Sequence, residues 1–295
     1  MAKKNNSDAM GRALEYAIVD GILSSNLNVK YDKRTIEDQK RDKPKYDTLS
    51  ANIKSNYNTS ANQILVWLKK TFGIKDTDEI VLRRLSDDEA KKGNVTDIEL
   101  LFKNEKINLS IKHNHTALKH QRPGALAQQC GLLGKSTEDI QYRIKYKEIC
   151  ENFITNSNLI VQNLKTFEQL KTKDVNYIDN NLYQPMCSLV STHLNLWGKD
   201  SCNAKYFFSF IVGMTNFYKV IVRDKGVEIL KFNNIPIPRK MTSTVEGKSY
   251  VKVKFDNDWE ISMRLHTASS RTAGVSLKFD TQPFKKNIPK KILKF

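Results

Sequence analysis

Two short segments with alternating polar and apolar residues constrain the fold of this chain more than any other feature. Residues 97–102 read DIELLF and residues 107–113 read INLSIKH, and the four polar residues KNEK separate them. In each segment apolar side chains recur at every second position, which is the period of a β-strand with one buried face. The two segments are therefore predicted to form an antiparallel hairpin within a central sheet.

The polar face of this hairpin brings an acid and a base together. Closing the hairpin with residues 103–106 as its loop matches the two apolar faces. This register places Asp97 opposite Lys112 and Glu99 opposite Ser110, at the short separation of directly opposed side chains. The pair could serve catalysis, or it could be an ordinary cross-strand salt bridge on an exposed face.

Net charge narrows the class of partner. The chain of 295 residues carries 49 lysines and arginines against 32 acidic residues, a formal charge of +17, and residues 201–295 hold 18 basic and seven acidic residues. Such an excess favours a polyanion, with nucleic acid ahead of an anionic membrane, although a generic basic surface is the alternative.

Other partners and compartments find little support. No apolar run approaches the roughly 20 residues that span a bilayer, and no basic amphipathic helix with aromatic anchors is evident, so no membrane partner is expected. The four cysteines are widely spaced, which argues against a zinc ribbon or a disulfide framework and favours a reducing cytoplasm.

Helix and strand patterns alternate along the chain and predict an α/β (mixed α+β) fold. Apolar residues at helical spacing predict helices at about 8–23 and 49–72, with an exposed polar loop at 26–47 between them. Helical patterns return at about 137–197, and hairpin signals follow in the C-terminal third. The residues after Pro283 are predicted to form a loose basic tail.

Four blocks of the sequence resemble type II restriction endonucleases of the HaeIII kind. The blocks are GRALEYAIV (11–19), GNVTDIELLF (93–102), SIKHNHTALKHQRPG (110–124) and MRLHTASSRTAGVSLKFDTQ (263–282). Asp97, a turn and then Ser110-Ile111-Lys112 are similar to the hairpin of PD-(D/E)xK nucleases. The resemblance implies a restriction-endonuclease-like central mixed sheet flanked by helices, with a β-rich basic C-terminal part.

The same resemblance implies Mg²⁺-dependent hydrolysis of double-stranded DNA. Asp97 would bind the metal as a hard oxygen ligand, and the carbonyl of Ile111 would supply another ligand. Lys112 would orient the attacking water and stabilise charge on the phosphate.

Ser110 departs from the family's pattern, because this position usually carries a second acid. Glu15, within GRALEYAIV, and Glu99, opposite Ser110 in the predicted register, are the two carboxylates that could replace it. A solvated helix carboxylate and a sheet-face charge are the respective alternatives. Ser110 also leaves open a non-catalytic, sequence-specific DNA-binding protein with a decayed nuclease fold.

The histidine-rich stretch after Lys112 is interpreted as a surface for the DNA backbone. A zinc site is the alternative, but no cysteine lies nearby, and HNH nucleases spread their motif over two strands and a helix. Polar and basic side chains of these types make most phosphate contacts. The predicted contacts here are His113, Asn114, His115, Lys119 and Arg122.

A second set of DNA contacts is predicted in the block at 263–282, where basic residues surround a strand end and a turn. Arginine reads guanine through two hydrogen bonds in the major groove, and a charged loop is the alternative. The predicted contacts are Arg264, His266, Ser270 and Arg271.

The resemblance also implies an organisation and a set of partners. Residues 1–135 would form the nuclease core with the catalytic helix and hairpin, 136–200 a helical segment, and 201–295 a β-rich DNA-recognition part that forms one compact unit with the core. The target would be a short site, GGCC-like if the resemblance extends to specificity. A symmetric site would suit a homodimer, although monomers are compatible, and a cognate DNA methyltransferase is expected in the same cell without a stable complex.

Overall fold

The computed structural model describes residues 6–85, 95–213, 215–285 and 288–295. Within these ranges the α-helices are α1 (Asn6–Leu23), α2 (Lys33–Asp47), α3 (Ala51–Phe72), α4 (Leu126–Gln129), α5 (Thr137–Ile160), α6 (Phe167–Lys171), α7 (Gln184–Trp197) and α8 (Ser201–Val212). The strands are β1 (Asn28–Tyr31), β2 (Glu79–Arg84), β3 (Ile98–Phe102), β4 (Glu105–His113), β5 (Phe217–Arg223), β6 (Gly226–Phe232), β7 (Met241–Glu246), β8 (Tyr250–Phe255), β9 (Glu260–Thr267), β10 (Leu277–Lys285) and β11 (Lys290–Lys294). The predicted mixed α and β class is confirmed.

The chain folds into two compact units, and each draws on separate parts of the sequence. The first unit comprises Met1–Thr116, Thr215–Ile235 and Ile288–Phe295, and the second comprises Ala117–Met214 and Pro236–Asn287. The predicted division at residues 135 and 200 does not follow these units. Strands β5, β6 and β11, from the predicted recognition part, pair within the sheet that contains the predicted catalytic hairpin.

The first unit is built on a mixed seven-stranded sheet with the order β1-β2-β3-β4-β5-β6-β11. Strands β1 and β2 are parallel, as are β4 and β5, and the other neighbours are antiparallel. The residues after Pro283 were predicted to form a loose tail. This prediction is wrong for β11, which pairs with β6 in antiparallel orientation. This mixed central sheet is consistent with a restriction-endonuclease-like fold.

One face of this sheet packs against α1 and α3. The apolar residues of β3 and β4 that share this face, including Ile98, Leu100 and Leu109, are at most 4% exposed. Helices α1 and α3 approach closely at Gly21, where a Cβ atom would lie 3.0 Å from the Cβ of Ala61. The glycine therefore allows α1 to lie in the core, which holds the helix that carries Glu15 firmly against the sheet.

The hairpin between β3 and β4 forms as predicted, but its predicted register is wrong by two residues. Leu100 pairs with Ile107 and Phe102 with Glu105, so only Lys103 and Asn104 form the turn. Both have positive φ angles, 47° and 67°, as in a two-residue type I′ turn. A shift of two residues keeps every side chain on its face, so the apolar pattern alone could not distinguish the two registers.

The predicted exposed loop at 26–47 is also wrong, because it contains β1 and the whole of α2. Asp32 begins α2, with its side chain accepting a hydrogen bond from the backbone N–H of Thr35 at 2.8 Å. Asp42 is fully buried and Asp38 is 6% exposed, so this polar helix turns carboxylates inward. The buried residues of α2 are Thr35, Asp38 and Asp42, and most of its other residues are exposed, so the segment is exposed as predicted but is not a loop.

The second unit contains a four-stranded antiparallel sheet with the order β10-β9-β8-β7, together with α4 to α8. Helix α7 packs on β7, where the Asn195 side chain exchanges two hydrogen bonds, at 2.9 and 2.7 Å, with the backbone of Ser243. None of the described helices combines the length and the apolar character that crossing a membrane requires.

The two-residue turn predicts opposite effects for two substitutions at Asn104. Asn104→Gly should raise the free energy of unfolding by a few tenths of a kcal/mol, because glycine adopts positive φ without steric cost. Asn104→Val should lower it by about 1–2 kcal/mol, since a β-branched residue resists this conformation. Urea unfolding of both variants checks this, and equal effects of the two substitutions would contradict the turn.

Candidate active site

The carboxylate of Asp97, just before β3, is the point on which the candidate site converges. Its Oδ2 atom accepts a hydrogen bond from the backbone N–H of Ile111 at 2.6 Å. The Ser110 hydroxyl lies 3.4 Å from the same oxygen and the Lys112 ammonium 3.2 Å from it. The β3–β4 pairing positions these groups, because Asp97 donates its own backbone N–H to the Leu109 carbonyl at 2.8 Å.

Asp97 and Lys112 remain accessible although they lie beside a buried sheet. Their side chains are 26% and 24% exposed, respectively. In the observed register Lys112 is not directly opposite Asp97 but reaches it along the strand, since Ile98 pairs with Leu109. The predicted pair therefore forms by a different geometry from the one expected, on a partly open part of the first unit.

Glu15, on α1, is the second carboxylate of the site. Its side chain is 20% exposed and its Oε2 atom lies 2.6 Å from Nη2 of Arg84. Burial and then the negative charge of Asp97 raise the pKa of Glu15 to about 7, against the opposing effect of Arg84. The effect of Asp97 shows that the two carboxylates are close enough to repel each other.

Arg84 anchors Glu15 and is a residue that the sequence analysis missed. It is 2% exposed, and its guanidinium also lies 2.9 Å from Asp42 and 3.2 Å from the amide oxygen of Gln39. Burial alone would raise the pKa of Asp42, but hydrogen bonds from Arg41 and Lys45 and the charge of Arg84 lower it to about 2.

A sequence signal for Arg84 does exist. Ile80, Leu82 and Arg84 alternate along β2, so the arginine stands at a position where the strand pattern calls for an apolar side chain. A buried arginine requires acidic partners, and α2, mistaken for a loop, supplies one of them.

Glu99 lies on the same polar face of the hairpin but is engaged elsewhere. It pairs with Asn108 in the sheet and not, as predicted, with Ser110. Its carboxylate lies 3.1 Å from the ammonium of Lys106 and 3.7 Å from the guanidinium of Arg83. Two cations therefore already neutralise Glu99, whereas Glu15 shares the neighbourhood of Asp97.

A second lysine of this region, Lys219 on β5, was also missed. It pairs with Ser110 across the parallel β4–β5 ladder and is 2% exposed. The signal was a single lysine in the otherwise apolar run of β5, FYKVIVR. The polar face of the β3–β4–β5 region thus carries Lys219 in addition to Asp97 and Lys112.

The described residues contain no ready-made cluster of three or more histidine, cysteine, aspartate or glutamate side chains for a metal ion. Accordingly, the alternative of a zinc site in the histidine-rich stretch gains no support within these ranges. Oxygen donors are nonetheless present, because two mutually repelling carboxylates, Asp97 and Glu15, are the type of ligand that a hard divalent cation prefers. The N–H of Ile111 is occupied by Asp97, and the metal-binding role of its carbonyl stays a prediction.

The predicted DNA contacts of the first unit follow directly on β4. Asn114 and His115 are exposed, and Asn114, with a φ angle of 57°, donates its N–H to the Val222 carbonyl at 2.9 Å. His113 is half-buried with its ring 5.6 Å from that of Tyr57, and burial lowers its pKa, against a smaller effect of the Asp224 charge.

The other predicted contacts lie in the second unit. Arg264, Ser270, Arg271 and Arg122 are exposed. The ammonium of Lys119 lies 4.3 Å from the centre of the Phe210 ring, and burial lowers its pKa. These exposed arginines can contact a phosphate or a base, and their role stays a prediction.

His266 has a partner that the sequence did not indicate. Asp280 lies between two histidines, with Oδ2 2.9 Å from Nε2 of His266 and Oδ1 2.8 Å from Nδ1 of His120. Burial opposes ionisation of Asp280, but the neighbouring His266, together with the charge of His120, lowers its pKa. His266 is thus oriented by a carboxylate within the second unit.

Glu15→Gln should change how stability depends on pH. In the metal-free protein the pKa of Glu15 is about 7, against about 4.3 in an unfolded chain, so the folded protein loses stability as the pH rises from about 5 to 7. Glutamine does not ionise. The variant should therefore gain stability relative to wild type at high pH. The difference between the free energies of unfolding of variant and wild type should be about 2 kcal/mol higher at pH 8 than at pH 5.

Urea unfolding in EDTA measures this difference. Asp20→Asn, at an exposed position of the same helix, is the control and should show no such gain between the two pH values. A Glu15→Gln effect that is the same at pH 5 and pH 8 would contradict the described environment of Glu15.

Comparison with known proteins identifies the family of this chain. A sequence model of the HaeIII restriction endonuclease family matches residues 11–236. The Type II restriction enzyme HaeIII of Haemophilus aegyptius is 25% identical over 321 aligned positions, covering 94% of this chain and 93% of that enzyme. No solved structure matches significantly. Because the family match covers most of the chain, the protein belongs to the HaeIII restriction endonuclease family, a family of type II site-specific deoxyribonucleases.

Proposed function

We propose that this protein hydrolyses phosphodiester bonds at a short specific site in double-stranded DNA, with Mg²⁺ held by Asp97 and Glu15. The observation that carries the proposal is the convergence of Ile111, Lys112 and Ser110 on one oxygen of Asp97. Membership of the family supplies the substrate class. The strongly positive charge of +17 favours the same polyanionic partner.

The donor set fits Mg²⁺, which prefers carboxylate and carbonyl oxygens together with water. Asp97 and Glu15 would hold the ion, and the Ile111 carbonyl would be a third ligand. When bound, Mg²⁺ lowers the pKa of a water molecule and offsets negative charge on the phosphate. The repulsion between the two carboxylates is relieved at the same time, so that Glu15 stays ionised at neutral pH.

Lys112 orients the nucleophile and stabilises charge on the phosphate. Its ammonium is partly exposed and held 3.2 Å from Asp97, so a water and a phosphate oxygen can both reach it. A positive charge placed beforehand costs no rearrangement when negative charge develops. Ser110 is 3% exposed and points at Asp97, so it supports that carboxylate instead of replacing the second acid.

The polar residues after β4 would follow the DNA backbone. His113, Asn114 and His115 lie directly beyond Lys112 on the chain, and the carbonyl of Val222 on β5 fixes Asn114. Lys119, Arg122, Arg264 and Arg271 are proposed as further phosphate or base contacts, with His266 and Ser270 beside them. A GGCC-like target is proposed from the family resemblance.

Digestion of a plasmid of known sequence tests the function. Discrete fragments in Mg²⁺ and none in EDTA are expected, and sequencing of the fragment ends gives the recognition site. Binding without cleavage would instead favour the non-catalytic DNA-binding protein, and no binding at moderate salt would contradict both.

Lys112→Ala should reduce the single-turnover cleavage rate by at least about 100-fold, because it removes the charge next to the reacting phosphate. DNA affinity should change by less than about fivefold, since one phosphate contact among many is lost. Gel-shift and cleavage assays measure the two quantities. Retained cleavage would contradict the assignment of the hairpin.

Glu15 and Glu99 can be distinguished by matched substitutions to glutamine. Glu15→Gln should lower the cleavage rate by about 100-fold, because glutamine removes a charged metal ligand. Glu99→Gln should stay within about threefold of wild type, since its partners Lys106 and Arg83 are surface cations that remain solvated. The opposite order of effects would assign the second carboxylate to Glu99.

A further inference from the structure

Lys219 is a buried lysine for which no role in the reaction has been assigned. It stands in the middle of β5, with Val220 and Ile221 fully buried next to it, and is itself 2% exposed. An ammonium group in such a place is costly unless polar partners surround it. Its Nζ atom donates a hydrogen bond to the carbonyl of Thr116 at 2.7 Å.

The strand register places Lys219 beside the candidate site. In the parallel β4–β5 ladder Lys219 pairs with Ser110, so the two side chains lie on the same face of the sheet. Lys112, two residues beyond Ser110, also shares this face. The Ser110 hydroxyl is itself 3.4 Å from the Asp97 carboxylate. Ser110 therefore lies between Asp97 and Lys219.

Electrostatic effects agree with this placement. Burial and the charge of Lys112 lower the pKa of Lys219 to about 7, and the charge of Asp97 raises it. The amine thus interacts with both groups on which the proposed reaction depends. The burial of Lys219 strengthens these interactions, because less water screens its charge.

Lys219 and Lys112 differ in their freedom to move. The side chain of Lys112 is about one quarter exposed and lies next to the last residue of β4, so it can leave Asp97 and turn to solvent or substrate. Lys219 is enclosed by the sheet and held by Thr116, a residue that follows β4. A cation that binds at Asp97 would therefore experience the charge of the Lys219 amine whichever way Lys112 turns.

We propose that Lys219 is an internal counter-ion of Asp97, which balances this carboxylate in the free protein and so opposes binding of a divalent cation until DNA is present. The proposal rests on the proposed metal site. A phosphate group of DNA would compensate for the combined positive charge of lysine and metal, which makes binding of metal and DNA mutually favourable. Lys219 acts through Asp97 and is a positioning residue, not one that touches the substrate.

Calorimetric titration of the full chain with Ca²⁺, at pH 6.5 and without DNA, tests this directly. Lys219→Met removes both the charge and the hydrogen-bond donor, whereas Lys219→Gln removes the charge and keeps a donor for the Thr116 carbonyl. Both variants should bind Ca²⁺ about tenfold more tightly than wild type, because a nearby positive charge has been removed. Lys219→Arg keeps the charge and should stay within about threefold of wild type.

Lys231→Met is the matched control, since this exposed lysine lies on the neighbouring strand β6 of the same sheet. This substitution removes one positive charge at a position outside the site, so it should leave the Ca²⁺ affinity unchanged. The concentration of Mg²⁺ that gives half-maximal cleavage should fall in the Met and Gln variants of Lys219. Both should fold, because an uncharged side chain is easier to bury at this position.

Several results would overturn the proposal. Unchanged or weaker Ca²⁺ binding by both Lys219→Met and Lys219→Gln would contradict the proposal. Tighter binding by the Met variant alone would also contradict it, because Lys219 would then act only as a hydrogen-bond donor to Thr116. Asp97→Asn should abolish Ca²⁺ binding. Ca²⁺ binding that survives Asp97→Asn would contradict the proposed metal site itself, which separates that failure from a failure of the Lys219 proposal.

Discussion

The hydrogen bond from the Ile111 N–H to the Asp97 carboxylate is the interaction on which the candidate site depends. At 2.6 Å it fixes one oxygen of Asp97 against β4, and the same oxygen then receives Lys112 and Ser110. An ionised carboxylate that accepts a backbone N–H is held more firmly than a neutral acceptor would be. The β3–β4 hairpin, locked by its two-residue turn, therefore determines where the acid of the site lies.

The remaining charges of the first unit are arranged around this carboxylate. Arg84 secures Glu15 from the side of α1 and α2, and its own charge is compensated by the fully buried Asp42. Lys219 faces the site from β5. Buried charges of this kind stabilise a fold weakly, because desolvation offsets their attraction. Their role here is positional, since Arg84 holds the Glu15 carboxylate in a fixed place.

The sequence carried enough information for the polar face of the hairpin but not for its register. Alternation with period two placed Asp97, Ser110 and Lys112 on one face of the hairpin, and a shift of two residues leaves that alternation intact. The register depends on the turn. Lys103 and Asn104 adopt the positive φ angles of a two-residue loop, and the alternation of the strands does not reveal this.

Polar helices and long-range pairings were beyond the local pattern. Helix α2 has charged residues on most of its surface, so its sequence lacks the apolar stripe that predicts a helix. Its buried Asp42 pairs with Arg84, which lies on a strand distant in the sequence. The parallel pairing of β4 with β5 joins residues more than one hundred positions apart in the chain. Consequently, Lys219 could be seen in the sequence as an unusual lysine but could not be assigned to the site.

Locating the metal ion tests the central claim most directly. Crystals of the protein with a DNA duplex and Mn²⁺ would show the ion by its anomalous scattering. The account predicts a peak within about 2.5 Å of carboxylate oxygens from both Asp97 and Glu15, at the end of the hairpin that carries Lys112. A peak bound by Glu99 without Glu15, or an ion that does not contact Asp97, would contradict it.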